Sequence, residues 1–113
     1  MITVETVTFS IPKENPRQIA EKVERALDAY EGRDDVAVRF VFDVSASACL
    51  MRPWRLVQLK KAVEPYRSRV RMTCCMNEVL VPNSGVGLAS RAAVAFFDPD
   101  VPTRVRVRKR RED

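Results

Sequence analysis

Residues 36–44 read Val36-Ala37-Val38-Arg39-Phe40-Val41-Phe42-Asp43-Val44, a nearly unbroken run of β-branched and aromatic side chains. A strand with only one buried face alternates apolar and polar residues. A run apolar at almost every position suits a strand covered on both sides, as in the middle of a parallel sheet. This stretch therefore predicts an inner parallel strand, and parallel pairing demands a crossover on each side of it.

Both crossovers are legible. Upstream, residues 2–11 form a β-branched strand with Val7, Phe9 and Ile11 on one alternating face, stopped by Pro12. Between the two strands, Asn15 is a good helix N-cap and Pro16 suits the first helical position. Ile19, Val23, Ala26, Leu27 and Tyr30 then recur at helical spacing, and Gly32 marks the end. Downstream, a second helix starts at Pro53, buries Trp54, Leu56, Leu59 and Val63, and ends or kinks at Pro65. Val70, Met72 and Cys74 alternate with Arg69, Arg71 and Thr73, which predicts a third strand. Val79-Leu80-Val81 reads either as an extension of that strand or as a buried turn. A third helix is expected from Ser84-Gly85 through Leu88, Ala92 and Phe96 to Phe97, broken by Asp98-Pro99-Asp100. The last strand is expected over Val101–Arg108, with Val105 and Val107 on one face and Arg104, Arg106 and Arg108 on the other.

The expected architecture is thus one small α/β domain in β-α-β-α-β-α-β order, a mostly parallel four-stranded sheet with helices packed on it. It covers residues 1–103, its last strand running on to about 108, followed by a basic and then acidic tail over 109–113. A chain of 113 residues supports one core, and no stretch approaches the ~20 apolar residues of a membrane span. The N-terminus lacks the pattern of a secretory signal. Cys49, Cys74 and Cys75 form an odd set without zinc spacing, and the chain contains no His. Free thiols in a reducing cytoplasmic compartment are expected, with Cys74 in the core and Cys75 partly buried. A nuclear location is the alternative if the host is eukaryotic or viral, because Lys109-Arg110-Arg111 also reads as a nuclear localisation signal.

From Ile19 to Val107 the pattern resembles the STAS family, the anti-sigma-factor-antagonist-like domains. An amphipathic helix precedes the strand "VRFVFDVS", which ends in Asp-x-Ser at Asp43 and Ser45; a helix, the strand "RVRMTC", another helix and the strand "TRVRV" follow. Family members that act as phosphorylation switches carry an acceptor serine or threonine and a glycine at the start of the next helix. Here that position reads Met51-Arg52-Pro53-Trp54, and the basic tail stands where the family has a terminal helix. The resemblance implies a protein-docking module without its phosphoacceptor.

The +5 net charge is concentrated: residues 52–71 carry +6 and residues 104–113 carry +4, against a negative balance elsewhere. The candidate interaction residues are therefore Arg52, Arg55, Lys60 and Lys61 on the second helix, and Arg104, Arg106, Arg108, Lys109, Arg110 and Arg111 at the C-terminus. Arg67, Arg69 and Arg71 add to the first cluster. Alternate residues of a strand stand roughly 6–7 Å apart, near the interval between successive phosphates, so the second set also suits a nucleic-acid backbone. The same arginines would protect an edge strand from aggregation. Asp43, Ser45 and Ser47 lie where open α/β sheets place ligands, although loop-capping hydrogen bonds explain them as well. Asn83-Ser84-Gly85-Val86-Gly87 lacks the lysine and third glycine of phosphate-binding loops and reads as a helix entry.

No paired carboxylates, metal set or activated nucleophile stands out, so no catalytic, cofactor-binding or metal-binding residue is assigned. The sequence points to a non-catalytic protein–protein interaction or regulatory module, acting on a protein partner or by self-association. The alternative is a nucleic-acid-associated protein. Neither a membrane nor a small-molecule substrate is indicated.

Overall fold

The computed structural model describes residues 2–11, 13–44, 53–83, 91, 94–95 and 101–107, apart from the side chains of residues 53–56 and 75. The elements run β1 (Thr3–Ser10), α1 (Pro16–Tyr30), β2 (Val36–Asp43), α2 (Pro53–Val63), a 3₁₀ turn (Glu64–Tyr66), α3 (Arg67–Thr73), β3 (Cys74–Val81) and β4 (Thr103–Val107). The four strands form one sheet in the order β1-β2-β3-β4, and every neighbouring pair is parallel. The coarse expectation, a small α/β domain on a four-stranded parallel sheet, holds. Between β3 and β4, the described residues Arg91, Val94 and Ala95 are helical. The rest of the third helix expected there lies outside the described residues.

Alternation and register together divide the sheet into two faces. Val7 pairs with Phe40 and Phe9 with Phe42; Val38 pairs with Cys74, and Val79 with Val105. Val7, Phe9, Val38, Phe40, Phe42 and Cys74 share the face that packs against Ile19, Val23, Ala26 and Leu27 of α1 and Leu59 of α2, forming the hydrophobic core. Val79 and Val105, half-buried, continue that face. Phe9 is fully buried, stacks on Phe42 at 4.9 Å between ring centres, and meets Phe40 at 5.5 Å. The other face carries Val4, Thr6 and Thr8 of β1, Arg39 and Val41 of β2, Met76, Glu78 and Leu80 of β3, and Arg104 and Arg106 of β4.

Helix α1 begins as its sequence dictates. Asn15 Oδ1 accepts from Gln18 N at 2.8 Å, and Gln18 Oε1 accepts from Asn15 N at 2.9 Å, a reciprocal capping box ahead of Pro16. It ends where Gly32 adopts φ +82°, a left-handed conformation that favours glycine.

The third strand differs from expectation. Val70–Thr73 is helical, and the strand begins only at Cys74, so Val79-Leu80-Val81 belongs to the strand body. The reason is packing. Leu59, Val63, Tyr66 and Val70 follow one another at three- and four-residue intervals, and all four lie in or against the core. Pro65 ends α2 without ending the helical path, because a 3₁₀ turn bridges into α3. Met72, which a strand alternation would pair with Val70, is 86% exposed. Arg69 fastens α3 to α1, reaching Glu31 Oε2 at 2.6 Å and Asp28 Oδ1 at 3.2 Å. One feature behind the STAS resemblance, a strand at "RVRMTC", is thus a helix almost to its end.

At the outer edge of β1, Glu14 accepts from Ser10 N at 2.9 Å, and Lys22 Nζ reaches both Glu14 Oε1 at 2.9 Å and the Thr8 carbonyl at 2.6 Å. Partial burial alone would raise the Glu14 pKa. The hydrogen bond from Ser10 and the ammonium of Lys22 outweigh it and hold the carboxyl below its ordinary value.

Two outcomes follow from this packing. Phe9→Ala should cost about 3–5 kcal/mol, a large part of the ~5–15 kcal/mol that holds such domains folded, and a urea titration should show the midpoint collapse. A carboxyl held below its unfolded pKa contributes stability that is present above the unfolded value and lost as pH falls through the folded one. Glu14→Gln should therefore flatten the fall in thermal midpoint between neutral pH and the acid side of the carboxylate range. An unchanged acid slope would remove Glu14 from that role.

Candidate interaction surface

Near the centre of the second sheet face lies a carboxylate. Glu78, on the inner strand β3, is only 4% exposed. Its register partners are Val41 on β2 and Arg104 on β4, and Arg39 and Arg106 occupy the diagonal positions. Both diagonal arginines turn toward it, Arg106 Nε reaching Oε1 at 2.8 Å and Arg39 Nη1 standing 3.8 Å from Oε2. Diagonal neighbours in a sheet lie within reach of long side chains, so one acid flanked by two arginines is what this register allows. Arg39 Nε is buried without a hydrogen-bond partner among the described residues. Arg104 is exposed and makes no ion pair among the described residues.

The face is unevenly covered. Val41 and Glu78 at its centre are buried, whereas Val4, Thr6 and Thr8 on one flank and Arg104 and Arg106 on the other are exposed. Three guanidinium groups against one enclosed carboxylate leave the β4 flank positive. The alternation expected for β4 holds for its described residues, with Val105 and Val107 opposite Arg104 and Arg106. Arg106 nevertheless spends much of its charge inside the protein. Arg108, Lys109, Arg110 and Arg111 lie outside the described residues.

The first basic cluster divides. Arg67 stands 3.7 Å from Glu64, and Arg69 is committed to α1, so these two do not face outward as unpaired charges. Tyr66 Oη donates to Glu24 Oε2 at 3.1 Å, a bond that raises the phenol pKa. Lys60 is half-buried and Lys61 exposed, and with Glu64 and Pro65 they line a shallow depression of about 480 Å³. Arg55 belongs to α2, but its side chain, like Arg52, lies outside the described residues.

Asp43 ends β2, half-buried, its carbonyl accepting from Ile11 N at 2.9 Å. Ser45, Ser47 and Cys49 lie outside the described residues. Cys74 is buried as expected, its Sγ 3.2 Å from the Met76 carbonyl. The described residues contain no group of three or more His, Cys, Asp and Glu suited to a metal ion, and no helix among them is long and apolar enough to cross a membrane.

Sequence reasoning missed Arg39 and Glu78. The available signal was a pair of opposite charges in apolar strands, Arg39 within "VAVRFVF" and Glu78 immediately before "VLV".

The geometry predicts an order of stabilities. Removing Arg106 strands a buried carboxylate, so Arg106→Gln should cost about 2–3 kcal/mol. Glu78→Gln should cost less, about 1 kcal/mol, because the partly exposed arginines can turn to water. Arg104→Gln should fall within about 0.5 kcal/mol of the parent. Chemical denaturation of the three variants checks the order, and equal losses at 104 and 106 would contradict it. The chain matches no known family, curated protein or solved structure.

Proposed function

We propose that this chain is a non-catalytic protein-interaction module that uses the β4 flank of its second sheet face to dock an acidic surface of a partner protein. The observation that carries this reading is Arg104: a charged, exposed side chain without an acceptor among the described residues, next to Arg106, on the edge of a sheet. An exposed guanidinium retains its charge and its planar array of donors for an external carboxylate. Charge complementarity of this kind sets orientation and association rate more than affinity. The resemblance to STAS domains supports the same class of role, docking without chemistry, in a form lacking the phosphoacceptor.

One observation favours a second reading, nucleic-acid association. Arg104 and Arg106 occupy alternate positions of a strand, roughly 6–7 Å apart, which suits successive phosphates. The bond between Arg106 and Glu78 weighs against it, since a comb whose second tooth is neutralised loses much of its hold on a polyanion.

The test uses the full chain and Arg104→Glu as immobilised baits in nuclease-treated extract of the source cells. The expected result is a protein bound by the parent, released by moderate salt, and lost from the variant. A partner retained equally by Arg104→Glu overturns the assignment of this surface. Salt-sensitive binding of the parent to unrelated DNA and RNA, with no protein retained, replaces it with the nucleic-acid reading.

A further inference from the structure

The two edges of the sheet are built differently. Strand β4 is short, five residues, and carries arginine at alternate positions, the usual defence of an edge against unwanted pairing. Strand β1 is longer, eight residues reading Thr-Val-Glu-Thr-Val-Thr-Phe-Ser, with one charge and no proline. It is a good template for another strand.

The backbone shows which part of β1 is open. Thr3 N donates to Asp35 O and Ile11 N to Asp43 O, so the odd-numbered residues direct their amides and carbonyls at β2. The even-numbered residues direct theirs outward. Of these, Ser10 is covered by Glu14, and the Thr8 carbonyl is covered by Lys22. Val4 and Thr6 remain, with Ile2 continuing the line, and their outward groups have no partner among the described residues. The same segment holds two of the most exposed large apolar side chains, Ile2 at 64% and Val4 at 54%. Open hydrogen-bonding groups and uncovered apolar surface therefore coincide on one short stretch.

We infer that this stretch pairs with the same stretch of a second copy of the chain, antiparallel, about a two-fold axis at Val4. Three symmetric registers centre within Val4–Thr6, the open part of the strand; centring on Thr3 would pair only Ile2 with Val4 and leave Thr6 open. Centring on Thr6 sets Val4 against Thr8, whose carbonyl Lys22 already occupies. Centring on Glu5 places two carboxylates directly opposite each other, which destabilises a sheet. Centring on Val4 sets Val4 against Val4 and Ile2 against Thr6 of the other copy, with Glu5 facing an uncharged Thr3. This register uses only open backbone groups, covers both exposed apolar side chains and opposes no like charges.

The other homotypic pairings fail on general grounds. Pairing β4 with β4 would line up arginines against arginines. Pairing β1 with β4 of another copy would be head-to-tail, leaving free edges that grow without closing. The two-fold pairing closes, and it makes one eight-stranded sheet with the basic β4 flanks at its outer ends. Five opposed residues per strand bury less than the area of a standard stable interface, so the dimer is weak.

The inference is independent of the assignment of a partner to β4. Sedimentation of the full chain between about 10 μM and about 1 mM should show monomer passing reversibly to dimer, as befits an interface below standard size. Val4→Lys, which opposes two ammonium groups across the axis, should weaken the dimer at least about tenfold while leaving the thermal midpoint of the dilute protein unchanged. Val4→Cys tests the register directly. Opposed residues of a hydrogen-bonded antiparallel pair stand about 5.5 Å apart at Cα, within disulfide range, so mild oxidation should join the two copies of this variant through the substituted position. A parent chain that stays monomeric at the highest concentration overturns the inference. So does a Val4→Lys chain that dimerises like the parent, or growth beyond dimer into fibres.

Discussion

Parallel pairing of every strand with its sequence neighbour is the constraint from which the other features follow. Such a connection must travel back over the sheet, and right-handed crossovers between strands added in one direction all pass over the same side. The core confirms this for the described helices, since α1, α2 and α3 pack over Phe9, Val38 and Phe40 and not over Val41. One sheet face is thereby built from aromatic and aliphatic side chains, while the other receives Arg39, Glu78, Arg104 and Arg106. Sequential order also leaves β1 and β4 as the two edges, so the chain must handle unpaired backbone at its beginning and near its end.

The carboxylate of Glu78 makes sense in this setting. All-parallel sheets are ordinarily covered on both faces, and their strands are correspondingly apolar. Val38, Phe40 and Phe42 obey that rule on the helical side, and Val41 obeys it on the other. A buried charge beside Val41 is tolerable only with partners, and the register supplies them from both neighbouring strands. The ion pairs thus cross-link β2, β3 and β4 on the side away from the helices. They also tie Arg106 down and leave Arg104 as the outward charge.

Much of this fold was legible from local signals. Helix α1 states its own start in Asn15-Pro16, its face in Ile19, Val23, Ala26 and Leu27, and its stop in Gly32. Strand β2 states its position by its continuous apolarity. The stretch from Arg67 to Thr73 was not legible, because its apolar residues fit two periods at once. Val70, Met72 and Cys74 alternate as a strand would, while Leu59, Val63, Tyr66 and Val70 recur as a helix would. Only tertiary contact decides between them: Val70 and Tyr66 reach the core and Met72 does not. Pro65 added to the ambiguity, since a proline ends an α-helix locally but does not prevent a 3₁₀ turn from carrying the same stripe onward. The candidate surface was half legible. Alternation placed Arg104 and Arg106 on one face of β4, but the approach of Glu78 and Arg39 depends on which strands are neighbours, and composition does not encode that.

The two edges of the sheet are suited to two different kinds of contact. Charge at β4 favours partners of opposite sign and repels copies of the chain. At β1, Lys22 and Glu14 cover the C-terminal part of the edge, and on the rest Glu5 is the one charge that limits how an identical strand can meet it. Lys22 serves twice here, since it also sits 5.4 Å from the centre of the Phe9 ring and so fixes the edge cover to the core. A single ammonium group thus determines how much of β1 stays open, and the stretch it leaves is short enough that pairing there responds to concentration and does not become permanent.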